Sequence, residues 1–150
     1  MVSKNKIERI ITIGETIGKQ LNDIAYHIVG ESVTAARNAI LEKANSKGHQ
    51  PKDYSTTLLF SIIFKLKDKF FVFAYSIGDG IIAHVTEDGG IKLLSNPDGG
   101  EFAGQTRFLT MSDAVDTIAE RLIMTSLEDL SGLCLMTDGI SDPFFETDAN

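Results

Sequence analysis

Apolar residues recur at helical spacing over the first third of the chain and cluster in β-branched and aromatic runs after it. From Ile7 to about Gln20, the residues Ile7, Ile10, Ile11, Ile13, Ile17 and Leu21 return every few positions between charged and polar ones, which predicts an amphipathic helix. A second periodic stretch runs from roughly Asn22 to Asn45, with Ile24, Ile28, Val33, Ala36, Ile40 and Leu41 on one side. Ser46-Lys47-Gly48 supplies its stop, with glycine near the C-cap. Two opening helices are expected, and Gly30 with the β-branched Val33 and Thr34 marks a weak point in the second.

Beyond the loop Gly48 to Asp53, the segments Ser55 to Lys65 and Phe70 to Ile77 are rich in Thr, Ile, Phe and Val and read as paired strands. Lys67-Asp68-Lys69 has hairpin length, and Gly78-Asp79-Gly80 interrupts the pattern before Ile81 to Val85 resumes it. A turn at Glu87 to Gly90 leads to a strand over Ile91 to Leu94, so an antiparallel meander is expected. Asn96 to Gly100 and Gly104-Gln105 frame a loop outside the sheet, which Phe108 to Met111 could rejoin. Ser112 to Ser126 fits a helix capped by Ser112 or, at Leu122 to Thr125, a strand; a loop or short helix passing into a strand is expected. Leu133 to Met136, short and continuously apolar, reads as a central strand. Helices first and hairpins afterwards indicate an α+β layered domain rather than a doubly wound parallel sheet.

With 150 residues, 43% of them hydrophobic, one domain is the expectation. The 21 acidic against 14 basic residues give a net charge of -7 and leave no basic run, which argues against nucleic acid as a partner. No apolar segment reaches signal-peptide or membrane-spanning length, so a soluble, cytoplasmic protein without a membrane partner is expected. Cys134, alone of its kind, falls in a strand pattern and reads as a small core hydrophobe.

Two carboxylates change this picture. Asp79 and Asp138 each close an apolar run with glycine beside them, at Ile77-Gly78-Asp79-Gly80 and Met136-Thr137-Asp138-Gly139. Either alone reads more readily as an Asp-Gly turn after a strand. Together, at one edge of a sheet, they would repel each other until a hard dication relieved them, which fits Mg²⁺ or Mn²⁺ in an all-oxygen setting. Zinc is disfavoured because His27, His49 and His84 are scattered, and His84 reads as a surface or core-edge residue.

These motifs, in their order, resemble the metal-dependent protein phosphatases, also called protein phosphatase 2C. Ser55-Thr56-Thr57-Leu58 is similar to that family's Gly-Ser-Thr-Ala strand opening, and Ile77-Gly78-Asp79-Gly80 to its Gly-Asp-Ser turn. Leu135 to Asp142 is similar to its Ser-Asp-Gly-hydrophobic-x-Asp motif, the most specific of the three. The stretch Pro97 to Thr106 and the tail Asp142 to Asp148 resemble a bacterial branch, so the likeness covers essentially the whole chain.

The resemblance implies an α/β/β/α sandwich in which two metal ions bridge a water that attacks a phosphoserine or phosphothreonine, with no covalent phosphoenzyme. It implies Asp138 as a ligand of the central Mn²⁺ or Mg²⁺ pair, Asp79 with Asp138 as holders of a third ion, Gly139 beside them for the tight backbone course, and Asp142 as a supporting group. Thr56 and Thr57 are left to the sheet. The glycine-rich loop from Pro97 to Thr106 is a candidate substrate flap, with Arg107 beside it placed to meet a phosphate. The implied partner is a phosphoprotein substrate, or a kinase if the chain is a noncatalytic binding module that keeps the fold.

The family also carries an Asp-Gly-x-Gly-Gly strand before its first long helix and a late Asp-Asn or Asp-Asp motif. Met1 here lies almost directly in the helix and the sequence ends at Asn150, so a domain shortened at both ends is expected. Glu15, Glu31 and Asp53 lack the glycine setting that would replace the first motif. Asp148 and Asn150 follow too closely on Asp138 to be the last. Weak metal binding follows from the missing anions, and a homo-oligomer or covering partner from the exposed edges such a fragment would have.

Overall fold

The computed structural model describes residues 4–98, 106–137 and 139, with side chains from residue 18 onward. A single helix, α1 (Lys4–Ser46), opens the chain in place of the two expected. Gly30 sits inside it without a break, in open space where no neighbour forces a bend. At 1.5 Å per residue its 43 residues reach about 65 Å.

The buried stripe of α1 is Ala25, Val29, Val33 and Ala44, with Ala36 and Ile40 packed partly beside it. Val33, Ala36 and Ile40 lie on the expected face, but towards the N-terminus the inward positions are Ala25 and Val29, while Ile24 is 53% and Ile28 45% exposed. The small Ala25 and Val29 let the helix approach the sheet closely. Ile24 and Ile28 instead line an entirely apolar groove of about 220 Å³ with Ile62, Phe64 and Phe73.

The strands are β1 (Leu58–Leu66), β2 (Lys69–Ile77), β3 (Ile81–Val85), β4 (Ile91–Leu93), β5 (Leu122–Leu127) and β6 (Gly132–Met136). Among the described residues they form two antiparallel three-stranded sheets, ordered β1-β2-β5 and β4-β3-β6, rather than one meander. β2 lies at the centre of the first sheet and is buried on both faces, as its continuous Phe-Val-Phe-Ala-Tyr run requires. Alternate residues divide between two cores. Tyr75 and Ile77 join Val29, Val33, Leu109, Ala114 and Ile118 under the helix. Val72 and Ala74 pack with Ile82 of the other sheet, flanked by Leu59, Ile123 and Leu133. The order of layers is therefore helix, sheet, sheet, the α+β arrangement expected.

Several local expectations shift. Phe108 to Met111 forms a turn, not a strand, tied to the start of β1 by the Leu109 N–H donating to the Thr56 carbonyl (2.8 Å). Ser112–Ala114 is a 3-10 turn with no side-chain cap, and α2 (Ile118–Arg121) is one turn long before β5 begins at Leu122. β6 pairs with β3 alone among the described strands, so it is an outer rather than a central strand there, and Cys134 is half-buried. His84 is 6% exposed rather than a surface residue, because its strand is buried from Ile81 through His84. Among the described residues no helix is long and apolar enough to cross a membrane.

Candidate functional site

The chain leaves the first sheet at Ile77 and enters the second at Ile81, crossing through Gly78-Asp79-Gly80. Three backbones meet at this crossing. Gly78 has φ +117°, and a Cβ there would lie 2.3 Å from Thr57 Cγ2 and 3.5 Å from the Arg107 carbonyl oxygen. A Cβ on Gly80 would lie 2.7 Å from the Met136 carbonyl oxygen and 2.9 Å from the Leu59 methyls. Glycine is required at both positions because the start of β1 and the end of β6 press on the turn from either side.

Asp79 is half-buried, and its Oδ2 accepts a hydrogen bond from Thr106 Oγ1 (3.0 Å). Asp98 braces the same turn from another direction. The Gly78 N–H donates to Asp98 Oδ2 (2.9 Å), while the Asp98 N–H donates to the Gly78 carbonyl (2.9 Å). Arg121 donates to both carboxylate oxygens of Asp98, the two side chains being 10% and 21% exposed. Arg121 Nε also donates to Thr117 Oγ1 (3.0 Å). Arg107, half-exposed, pairs with Asp113. Both nearby arginines are thus matched to other carboxylates, and Asp79 has a hydroxyl for its partner rather than either guanidinium.

Tyr75 lies close to this ion pair. Burial pushes its phenol up from 10.0 to about 12, a rise that Arg121 opposes and Asp98 reinforces. Its hydroxyl donates a long hydrogen bond of 3.5 Å to the Ala114 carbonyl.

Of the residues singled out in the sequence, Asp79 and Arg107 occupy neighbouring segments at the turn. Asp138 and Asp142 lie outside the described residues, and Gly139 is exposed. Of the expected flap, Pro97, Asp98 and Thr106 are described and Gly99 to Gln105 are not; Asp98 is anchored to Gly78 rather than facing solvent in a loop. Thr56 and Thr57 precede β1 instead of lying in it. Glu31 faces His27 across a helical turn (3.4 Å), and Asp53 accepts the Gln50 N–H (3.0 Å). Among the described residues no group of three or more His, Cys, Asp or Glu side chains comes together.

Sequence reasoning missed Arg121, and it placed Asp98 and Thr106 only in the candidate flap, not as supports of the Asp79 turn. The Pro97-Asp98-Gly99 spacing signals only a turn, and nothing in it points to Gly78.

A family model described as protein phosphatase 2C matches residues 8–150. The chain belongs to the protein phosphatase 2C family. No curated protein and no solved structure matches it. Membership carries a phosphatase-type function, and the protein phosphatase 2C family is generally dependent on Mn²⁺ or Mg²⁺. The donor chemistry of Asp79 is compatible with such a cation: a half-buried carboxylate, held by a neutral hydroxyl and paired with neither adjacent arginine, would offer it a hard anionic oxygen.

Proposed function

We propose that this chain is a metal-dependent serine/threonine phosphatase in which Asp79 and Asp138 hold one divalent cation, Mn²⁺ or Mg²⁺. The observation that carries the reading is the register of β3 on β6. Ile81 pairs with Met136 in an antiparallel ladder, Asp79 stands two residues before Ile81, and Asp138 stands two residues after Met136 in sequence. The ladder ends at this pair, from which each aspartate stands two residues along the chain, Asp79 in the turn at Gly78 to Gly80 and Asp138 beyond β6 in sequence. Asp138 also belongs to the central metal set of the proposed site, with Asp142 supporting it; Gly139 is not required for a tight course, since nothing lies within 4 Å of a Cβ added there.

When bound, such cations neutralise charge on the phosphoryl oxygens and lower the pKa of an attacking water. The chain's own residues prepare that chemistry. The Thr106 hydroxyl orients Asp79 through Oδ2, and the two glycines fix the carboxylate at the seam between the sheets. Arg107 is exposed enough for a substrate phosphate to compete with Asp113 for its guanidinium, a charge-assisted exchange between two anions. The substrate class is a phosphoserine or phosphothreonine protein, and the compartment is the cytoplasm.

The test is hydrolysis of a phosphothreonine peptide by the purified chain with and without millimolar Mn²⁺. Mn²⁺-dependent turnover abolished in Asp138→Asn supports the reading. A folded chain inactive under every metal condition refutes it in favour of a noncatalytic binding module.

A further inference from the structure

The geometry points to Asp98 and Arg121 as positioning residues that set the metal affinity of the Asp79 turn, an inference that rests on Asp79 being a metal ligand. Neither residue touches the proposed cation directly. Their effect runs through Gly78, the residue before Asp79, whose N–H and C=O are both bonded to Asp98, one to its carboxylate and one to its backbone. A turn held at one residue through both peptide units that flank it cannot swing there without losing at least one of the two bonds. The direction in which Asp79 leaves the turn is therefore set by where Asp98 sits.

Asp98 is in turn fixed by Arg121, which grips both carboxylate oxygens from a side chain only 10% exposed. Arg121 belongs to α2, and its Nε is tied to Thr117, whose hydroxyl donates to the Asp113 carbonyl (3.0 Å). Asp113 also pairs with Arg107, next to Thr106, the residue that holds Asp79 Oδ2. The hydrogen-bonded frame thus meets Asp79 from two sides, through its backbone at Gly78 and through its carboxylate at Thr106. A part-buried ion pair carries a desolvation cost that an exposed one does not, and an isolated surface pair would contribute little. Its position supplies the reason: losing a group that orients a metal ligand from outside the coordination sphere costs about 10–100-fold in metal affinity.

The experiment is Mn²⁺ titration of the full chain by isothermal calorimetry, on wild type, Asp98→Ala, Asp98→Asn and Asp79→Asn. It is paired with amide hydrogen exchange on the metal-free proteins. Asp98→Ala is expected to weaken Mn²⁺ binding about tenfold or more. Asp98→Asn keeps an acceptor for the Gly78 N–H while losing the charge, so it should recover part of that loss. In metal-free Asp98→Ala, exchange should accelerate at Gly78 and Asp79 while the central amides of β2 keep wild-type protection. Wild-type affinity in both Asp98 variants, with binding lost in Asp79→Asn, overturns the positioning role alone. Equal acceleration throughout β2 likewise overturns it, as a general loss of stability. Wild-type affinity in Asp79→Asn overturns the metal-ligand reading and the positioning role with it.

Discussion

Alanine at Gly78 should be among the costliest single-methyl additions in this fold, and three glycines separate the reasons. At Gly89 the backbone has φ +82° and nothing lies within 4 Å of an added Cβ, so Gly89→Ala isolates the conformational cost, about 1–2 kcal/mol. At Gly80 the backbone is ordinary, but the Cβ would sit 2.7 Å from the Met136 carbonyl, an atom that moves only with β6; overpacking of this kind costs about 1–3 kcal/mol. Gly78 combines both, with φ +117° and a Cβ only 2.3 Å from Thr57 Cγ2, so Gly78→Ala should cost roughly 2–5 kcal/mol. Urea unfolding followed by far-UV circular dichroism reads all three from the shift in midpoint at constant slope. A Gly78→Ala cost no greater than that of Gly89→Ala would refute the close approach of β1 to the turn.

Thr106→Val keeps the shape of the side chain but removes the hydroxyl that donates to Asp79 Oδ2; calorimetry should show Mn²⁺ affinity reduced about tenfold with an unchanged melting temperature. The raised phenol of Tyr75 makes folding pH-dependent at the alkaline end. Its protonated form is favoured in the folded state, so its contribution is intact below pH 10.0 and is lost as pH rises towards about 12, by roughly 2–3 kcal/mol. Thermal melts across that range should fall less steeply for Tyr75→Phe than for the wild type. Because the lost hydrogen bond is a long one, the same variant should cost no more than about 1 kcal/mol at neutral pH.

The elements that were legible in the sequence are those whose patterns are local. β2 announced itself by an unbroken apolar run, the hairpin by the short polar link at Lys67-Asp68, and β3 by the resumption after Gly80. What stayed hidden depends on partners distant in the chain. The periodicity of α1 pointed to Ile24 and Ile28 as inward positions, and only the packing of the helix selects Ala25 and Val29 instead. The division of the strands between two sheets could not be read from hairpin spacing, because β5 returns to β2 and β6 to β3 across long connections.

The site follows the same rule. Asp79 was identifiable because a carboxylate between glycines at a strand end is a local signal. Its supports were not, since Asp98 and Arg121 reach Gly78 from 20 and 43 residues away, and Thr106 reaches Asp79 from 27. Arg107 was legible as a cation near the turn. Its pairing with Asp113 was not, because nothing in the spacing distinguishes Asp113 from its neighbour Asp116 as the partner.

The central claim is that Asp79 and Asp138 share one cation, and a double-substitution cycle on Mn²⁺ affinity tests it most directly. Asp79→Asn, Asp138→Asn and the double variant would be titrated with Mn²⁺ under identical conditions, with folding checked by circular dichroism in EDTA. Ligands of one ion act as a unit, so the double variant should lose far less than the two single losses combined. Fully additive losses, or wild-type affinity in either single variant, would contradict a shared site.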